Sequence, residues 1–312
     1  MDLAGATPMV PGGVGFSLNA FRTVVTAELA SSLSLRAEVE LDQSAQRDLA
    51  NLRSRLEKVL NGKGALVKVL ATAPQHVGLG SKTTLLLSIV AAVDALHRLA
   101  MPRETIQQLT DRGGTSGIGI HSFFSGGLVV DVGRRRNSIW VPSPSSANSG
   151  HEIPLQLLSC RFPADWRIVL LKPDVAPLDG DAERSFFKRA CPIPKLDALE
   201  ALAQVYHGVI PSVLRRDIGM LRSSLASISQ TGFKRREIEI YDVAVRNLIS
   251  QLNDAGIACG MSSLGPTVYA IVEAADKRAL EKLRQIARET GASLEGPFEA
   301  PNNGADTQVA SV

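Results

Sequence analysis

The chain has 312 residues, 45% of them hydrophobic and 21% charged, with a net charge of +3. That length and composition suit a substantial core and up to two domains, while so small a positive excess with 4% aromatic residues argues against a nucleic-acid surface. No run approaches the ~18 consecutive apolar residues of a membrane span, and Cys160, Cys191 and Cys259 form neither a CxxC pair nor a zinc spacing, so a reduced, cytoplasmic protein is expected.

The N-terminus has no basic stretch leading into an apolar one and is not a secretory signal. It is turn-rich and begins without a strand, as it would if the natural start lay upstream. Residues 10–15 are rich in Pro and Gly. Strand character follows over 16–28, around Val24, Val25 and Thr26, and residues 33–39 alternate like a half-buried strand. Asp42 or Ser44 can cap a helix over 45–60, where Leu49, Leu52, Leu56 and Leu60 recur at helical spacing and Asn61-Gly62 supplies a stop. Residues 65–71 form an apolar strand, and a helix is predicted from Ser81 to about Leu99 with its apolar run 85–93 buried. A short helix follows at 102–109. Residues 111–132 are a second glycine-rich block that ends in a strand, GGLVVDVG. A mobile loop is expected at 142–150 and a strand at 166–172, bracketed by Pro163 and Pro173.

Beyond Pro194 the pattern turns helical, over 196–208, 211–228 and 237–255. A Gly/Ser turn then runs into a strand at 267–272, a helix at 275–290 and a last short strand at 292–297. The polar residues from Pro301 are expected to be disordered. No internal repeat is present. The chain reads as α+β, with domains expected over 1–163 and 164–300 and a tail at 301–312.

The most informative stretch is APQHVGLGSKTTLLL at 73–87. Gly78 and Gly80 permit a backbone path on which successive N–H groups converge. Ser81, Lys82 and Thr83 then fall at a helix N-terminus, where unpaired N–H groups and the dipole favour an anion. An ordinary strand–turn–helix connection with a Ser/Thr cap is the competing explanation. Two further Gly/Ser turns, GGTSGIG at 113–119 and GMSSLGPTVYA at 260–270, point to one anionic site assembled from separate loops.

GLGSKTTLLLSIVAA resembles the phosphate-loop motif of the GHMP superfamily, which includes galactokinase, homoserine kinase and mevalonate kinase. GMSSLGPTVYAIV resembles its C-terminal glycine motif. RGGTSGIGIHSFFSGGLVVDVG, QHVGLGS and PGGVGFSL are similar to the β-ribofuranosylaminobenzene 5′-phosphate synthase branch. The resemblance covers about residues 10–300. It implies an N-terminal α/β domain like that of ribosomal protein S5, a ferredoxin-like C-terminal domain, and a homodimer. It also implies transfer of ribose 5-phosphate from phosphoribosyl pyrophosphate (PRPP) to an aromatic ring carbon, with loss of carbon dioxide and pyrophosphate. The acceptor is 4-amino- or 4-hydroxybenzoate in methanopterin biosynthesis and a pyrazole dicarboxylate in related C-nucleoside pathways. Two departures stand out: the strand before PGGVGF is missing, and Lys82 replaces a small residue.

On this resemblance Gly78, Gly80, Ser81, Lys82, Thr83, Arg112, Gly113, Gly114, Thr115, Ser116, Ser262, Ser263 and Thr267 are the expected PRPP and phosphate contacts. His121 and Asp131 are the candidate catalytic residues; Asp131 is also the candidate ligand for the magnesium that accompanies PRPP. His76, just before the phosphate loop, is a further candidate contact. Arg134 and Arg136 are candidates for the acceptor carboxylate, against the alternative that the run Arg134–Arg136 is simply solvated. Lys82 and this run together lean towards the pyrazole dicarboxylate, which keeps a second carboxylate after reaction. No organic cofactor, nucleic acid or membrane is expected. An ATP-dependent small-molecule kinase and a non-catalytic phosphate-ligand-binding protein remain the alternatives.

Overall fold

A computed structural model describes residues 1–75, 77–138, 140–144, 152–178 and 180–309. His76 and residues 145–150 of the expected loop lie outside the described residues.

The first half of the chain contains three small sheets. β1 (Met9–Val10) pairs with β7 (Arg134–Arg135). β2 (Gly13–Phe16) and β8 (Gln156–Cys160) flank β6 (Leu128–Asp131), both antiparallel to it. β5 (Gly64–Ala71) lies antiparallel to β3 (Val24–Ala30) and parallel to β4 (Ser34–Ala37). Four helices accompany them: α1 (Gln43–Leu60), α2 (Ser81–His97), α3 (Arg103–Thr110) and α4 (Ile118–Ser125). Asp42 caps α1 by accepting the Ala45 N–H at 2.6 Å. The apolar stripe Leu52, Leu56 and Leu60 packs with Val67 and Val69 of β5 and Leu85, Ile89 and Val93 of α2 into one core.

After β8 the chain enters a four-stranded antiparallel sheet. Its order is β10 (Ala258–Met261), β11 (Val268–Glu273), β9 (Trp166–Lys172) and β12 (Ser293–Phe298). One face carries a core that includes α10 (Asp242–Asp254) and α11 (Lys277–Thr290), with Val245, Leu248 and Leu283 fully buried. The remaining helices are α5 (Gly180–Ala190), α6 (Lys195–Gln204), α7 (Ile210–Arg215), α8 (Ile218–Ser229) and α9 (Gly232–Ile240), with a π-turn at Val205–Val209 between α6 and α7. The α+β class expected from the sequence holds. Among the described residues no helix is long and apolar enough to cross a membrane.

Several details differ from expectation. The helix expected at 211–228 breaks at Arg216, whose φ is 56°, because Asp217 caps a new helix by accepting the Met220 N–H at 2.8 Å. α4 arises inside the second glycine block, and β8, α5 and β10 occupy stretches without a clear apolar period. Pro301–Ala305 is not free chain. Gly127 N–H donates to the Pro301 carbonyl at 2.7 Å, Ala305 N–H donates to Phe123 at 2.7 Å, and the Asn302 side chain exchanges two hydrogen bonds with the Phe162 backbone at 2.6 and 3.0 Å. A side-chain amide that satisfies both backbone groups of Phe162 orders a segment that composition alone marks as mobile.

Candidate active site

The GLGS turn sits between α1 and the turn at 261–265. Gly78 (φ 77°) and Gly80 (φ 69°) both take left-handed conformations, and Gly80 stands at the N-cap of α2. At Gly78 there is no room for a side chain. A Cβ there would lie 2.6 Å from the Ser263 carbonyl and closer still to the Ser262 hydroxyl. Ser262 in turn donates to the Val77 carbonyl at 3.1 Å. The first and third glycine motifs therefore form one joined surface, although 185 residues separate these partners.

Two cations flank the start of α2. Lys82 donates to the Ser44 hydroxyl at 2.6 Å and lies 3.8 Å from Asp42. Arg112 donates to the Thr83 hydroxyl at 3.4 Å and lies 3.9 Å from Asp48. On the other flank, Lys234 and Glu237 of α9 reach the turn at 261–265. Gly78, Gly80, Ser81, Lys82, Thr83, Arg112, Ser116, Ser262, Ser263 and Thr267 all line one cleft. So do Lys234 and Glu237, which sequence reasoning missed. In the sequence Lys234 falls between the helices expected at 211–228 and 237–255 and Glu237 at the start of the second, and no spacing signal sets them apart.

The second glycine block is arranged differently. Gly113, Gly114 and Thr115 are buried, and apart from Arg112 and Ser116 the expected residues of this region are not among those lining the cleft. Asp131, at 2% exposure, accepts the Gly117 N–H at 3.1 Å, the Gly133 N–H at 2.9 Å and the Ser116 hydroxyl at 3.4 Å. Burial pushes its carboxyl up to about 6, opposed by those hydrogen bonds. Three protein donors thus meet the carboxylate, one at Oδ1 and two at Oδ2. His121 is buried, with Nε2 at 2.7 Å from the Pro154 carbonyl, and burial pushes its imidazole below the ordinary value. Thr115 donates to the Ser143 carbonyl at 2.6 Å. Arg134 donates to the Gly113 carbonyl at 3.0 Å. Arg136 is exposed, and its backbone N–H donates to the Pro8 carbonyl at 2.8 Å. His121 and Asp131, expected as catalytic, both brace the second block: Asp131 through its three donors and His121 through Nε2.

The cleft can hold an anion against the start of α2 without a covalent nucleophile. Burial pushes the Cys191 and Cys259 thiols up to about 12, so neither is a thiolate at neutral pH. Among the described residues no cluster of three or more His, Cys, Asp or Glu side chains is placed to hold a metal ion.

No protein-family model matches the chain. A β-ribofuranosylphenol 5′-phosphate synthase of Archaeoglobus fulgidus is 33% identical over 291 residues, covering 93% of this chain and 90% of its own. One of Methanothermobacter thermautotrophicus is 31% identical, covering 88% and 85%. Among solved structures, a homoserine kinase of Cytophaga hutchinsonii superposes with a TM-score of 0.68 at 16% identity, covering 93% of this chain and 90% of the other. Streptococcus pneumoniae phosphomevalonate kinase gives 0.68 at 12% identity, covering 96% and 95%. These two likenesses establish the GHMP fold. The similarity first seen in the glycine motifs extends over nearly the whole chain, which belongs to the β-ribofuranosylphenol 5′-phosphate synthase family.

Proposed function

We propose that this chain transfers the 5-phosphoribosyl group of PRPP to a ring carbon of an aromatic carboxylate, releasing pyrophosphate and carbon dioxide. The acceptor proposed is a 4-substituted benzoate, with 4-hydroxybenzoate first. The observation that carries this is the joined surface of Gly78 and Ser262–Ser263 at the start of α2, in a chain whose relatives are named for a ribosylphenol phosphate product.

In the reaction, the bond between the anomeric carbon and pyrophosphate breaks and the electron pair leaves with pyrophosphate. The ring carbon bearing the carboxylate attacks the electron-poor anomeric carbon. The bond to the carboxylate then breaks, its electrons restore the aromatic ring, and carbon dioxide departs, so no proton needs to be added or removed. The backbone N–H groups of Ser81, Lys82 and Thr83, with the Lys82 and Arg112 cations, stabilise the charge that grows on pyrophosphate. The cleft orients the two reactants and limits the access of water to the anomeric carbon.

The lean towards a pyrazole dicarboxylate draws on Lys82 and the run Arg134–Arg136, and Lys82 is assigned here to the pyrophosphate. Arg134 is tied to the Gly113 carbonyl and Arg136 is exposed away from the cleft lining, so the second cationic partner that such an acceptor needs is not supplied by them. A benzoate, whose one carboxylate is consumed, makes no such demand.

Incubation with PRPP, magnesium and 4-hydroxybenzoate should release pyrophosphate and carbon dioxide in equal amounts. A folded protein that binds PRPP yet turns over no aromatic carboxylate would sink the proposal. The kinase alternative draws on the fold shared with homoserine and phosphomevalonate kinases. Ligand at 100-fold its dissociation constant adds about 2.7 kcal/mol, so a thermal shift with ATP and none with PRPP would favour the kinase.

A further inference from the structure

One polar cluster in the cleft joins α9 to the turn at 261–265. Lys234 Nζ stands 2.6 Å from Oε2 of Glu237, whose side chain is 0% exposed, while Lys234 keeps 20% of its own exposed. The other Glu237 oxygen accepts the Leu264 N–H at 3.0 Å. Lys234 also donates to the Met261 carbonyl at 3.2 Å, with the Ser262 carbonyl at 3.5 Å, the limit of a hydrogen bond. An ammonium has three donors, and the third has only this long contact. On the same turn, Thr267, whose carbonyl accepts the Ser262 N–H at 2.9 Å, is 1% exposed and its hydroxyl has no hydrogen-bond partner; Thr267 and Lys234 both line the cleft. Buried hydroxyls are ordinarily paired.

We propose that Lys234 and Thr267 form the subsite for the 5′-phosphate of the donor, distinct from the pyrophosphate subsite at the start of α2. This rests on the PRPP-dependent function proposed above. PRPP has two anionic ends separated by a ribose, and the phosphate loop has polar groups on two flanks. Lys82 and Arg112 stand on the α1 side; Lys234 and Thr267 stand on the side of the turn at 261–265, joined to the loop through Ser262 and Val77. The leaving pyrophosphate gains charge during reaction and suits the several N–H groups of a helix N-terminus. The 5′-phosphate is chemically unchanged and suits a fixed point charge with one hydroxyl. The acceptor carboxylate is the poorer occupant. A cation there would stabilise the ground state more than a transition state in which that charge passes into the ring and carbon dioxide, and so would slow the reaction.

Calorimetric titration of the full chain with ribose 5-phosphate and, separately, with inorganic pyrophosphate tests the assignment. Lys234→Met alone would leave Glu237 buried without its ion pair. The variant used is therefore Lys234→Met with Glu237→Gln, whose amide oxygen still accepts the Leu264 N–H. Affinity for ribose 5-phosphate should fall about ten- to a hundredfold, the range for a lost hydrogen bond to a charged group, with pyrophosphate affinity unchanged. Thr267→Val removes the unpaired hydroxyl at constant shape. It should leave the thermal midpoint of the free chain equal or higher and weaken ribose 5-phosphate about fivefold, a split that a purely structural threonine would not show. If the double variant does not fold, Thr267→Val decides alone. Unchanged ribose 5-phosphate affinity in the folded variants, or a loss confined to pyrophosphate, overturns the subsite. A wild-type chain that does not bind PRPP at all overturns the function beneath it.

Discussion

At 77–80 and at 111–117 the chain makes two turns of similar Gly-rich composition, and each leads into a helix. Around the first, Gly78 fits flush against Ser262 and Ser263, and the start of α2 opens on the cleft between Lys82 and Arg112. Around the second, the N–H at Gly117, just ahead of α4, is already met by Asp131, and Arg134, Thr115 and His121 are bonded to backbone carbonyls. A glycine-rich turn at a helix start can gather donors around a negative charge. In the second the chain supplies that charge itself. Glycine content therefore marks an anion-holding backbone without saying whether the anion is a substrate or a side chain.

The largest expected effect tests how tightly the first turn is joined. Gly78→Ala places a Cβ 2.6 Å from the Ser263 carbonyl at φ 77°. Left-handed strain of ~1–2 kcal/mol and overpacking of ~1–3 kcal/mol together predict a loss of about 2–5 kcal/mol. Gly80→Ala, at φ 69° with nothing within 4 Å, should lose only the strain, about 1–2 kcal/mol. Urea midpoints for the two variants check this; equal losses would mean that the joined surface is not tight.

Next comes the internal anion. In the unfolded chain Asp131 releases its proton near the ordinary carboxyl value of 3.8, and in the folded chain at about 6. Between those values the folded state holds more protons, so stability falls as pH rises, by roughly 3 kcal/mol in total, and is then level. Urea unfolding of the wild type and Asp131→Asn across pH 4 to 7.5 should show the stability difference falling through that window; a flat difference contradicts the burial cost assigned to Asp131. Arg112→Ala should weaken PRPP about tenfold or more, as expected for a lost charged contact, with little change in urea midpoint; unchanged PRPP affinity by calorimetry would detach Arg112 from the site. The smallest effect belongs to Arg134→Gln, which should cost about 1 kcal/mol of stability for its bond to Gly113 and leave the KM for 4-hydroxybenzoate unchanged. A raised KM would bring Arg134 back to the acceptor.

Legibility in the sequence followed periodicity. β9 spans the residues read as a strand, and α1 has the cap and apolar stripe read for it, because an uninterrupted apolar period and a capping aspartate leave little choice. α4 was hidden: IGIHSFFS sits among glycines, and its inward face, Ile120 and His121, is too short to show a period. The meeting of GLGS with GMSSLGP was suggested by chemistry, since both resemble phosphate-binding turns. Which way a polar residue faces was not legible. Asp131 ends a strand whose four residues are all buried, so no alternation marks its side. Lys234 and Glu237 lie in a run of charges of which only tertiary packing buries some.

Asn302 holds the backbone of Phe162 across 140 residues of intervening chain, and Pro301 and Ala305 bond to Gly127 and Phe123. During synthesis the early half of the molecule therefore leaves the ribosome before the segment that fastens it has been translated. Its α4–β6 corner waits, with those backbone groups facing water, until the four-stranded sheet has been threaded out behind it. A fragment cut at the crossing between β8 and β9 would emerge in that same unfastened condition and stay there. Adding back a peptide of residues 299–309 to such a fragment would supply from outside what the continuous chain delivers last.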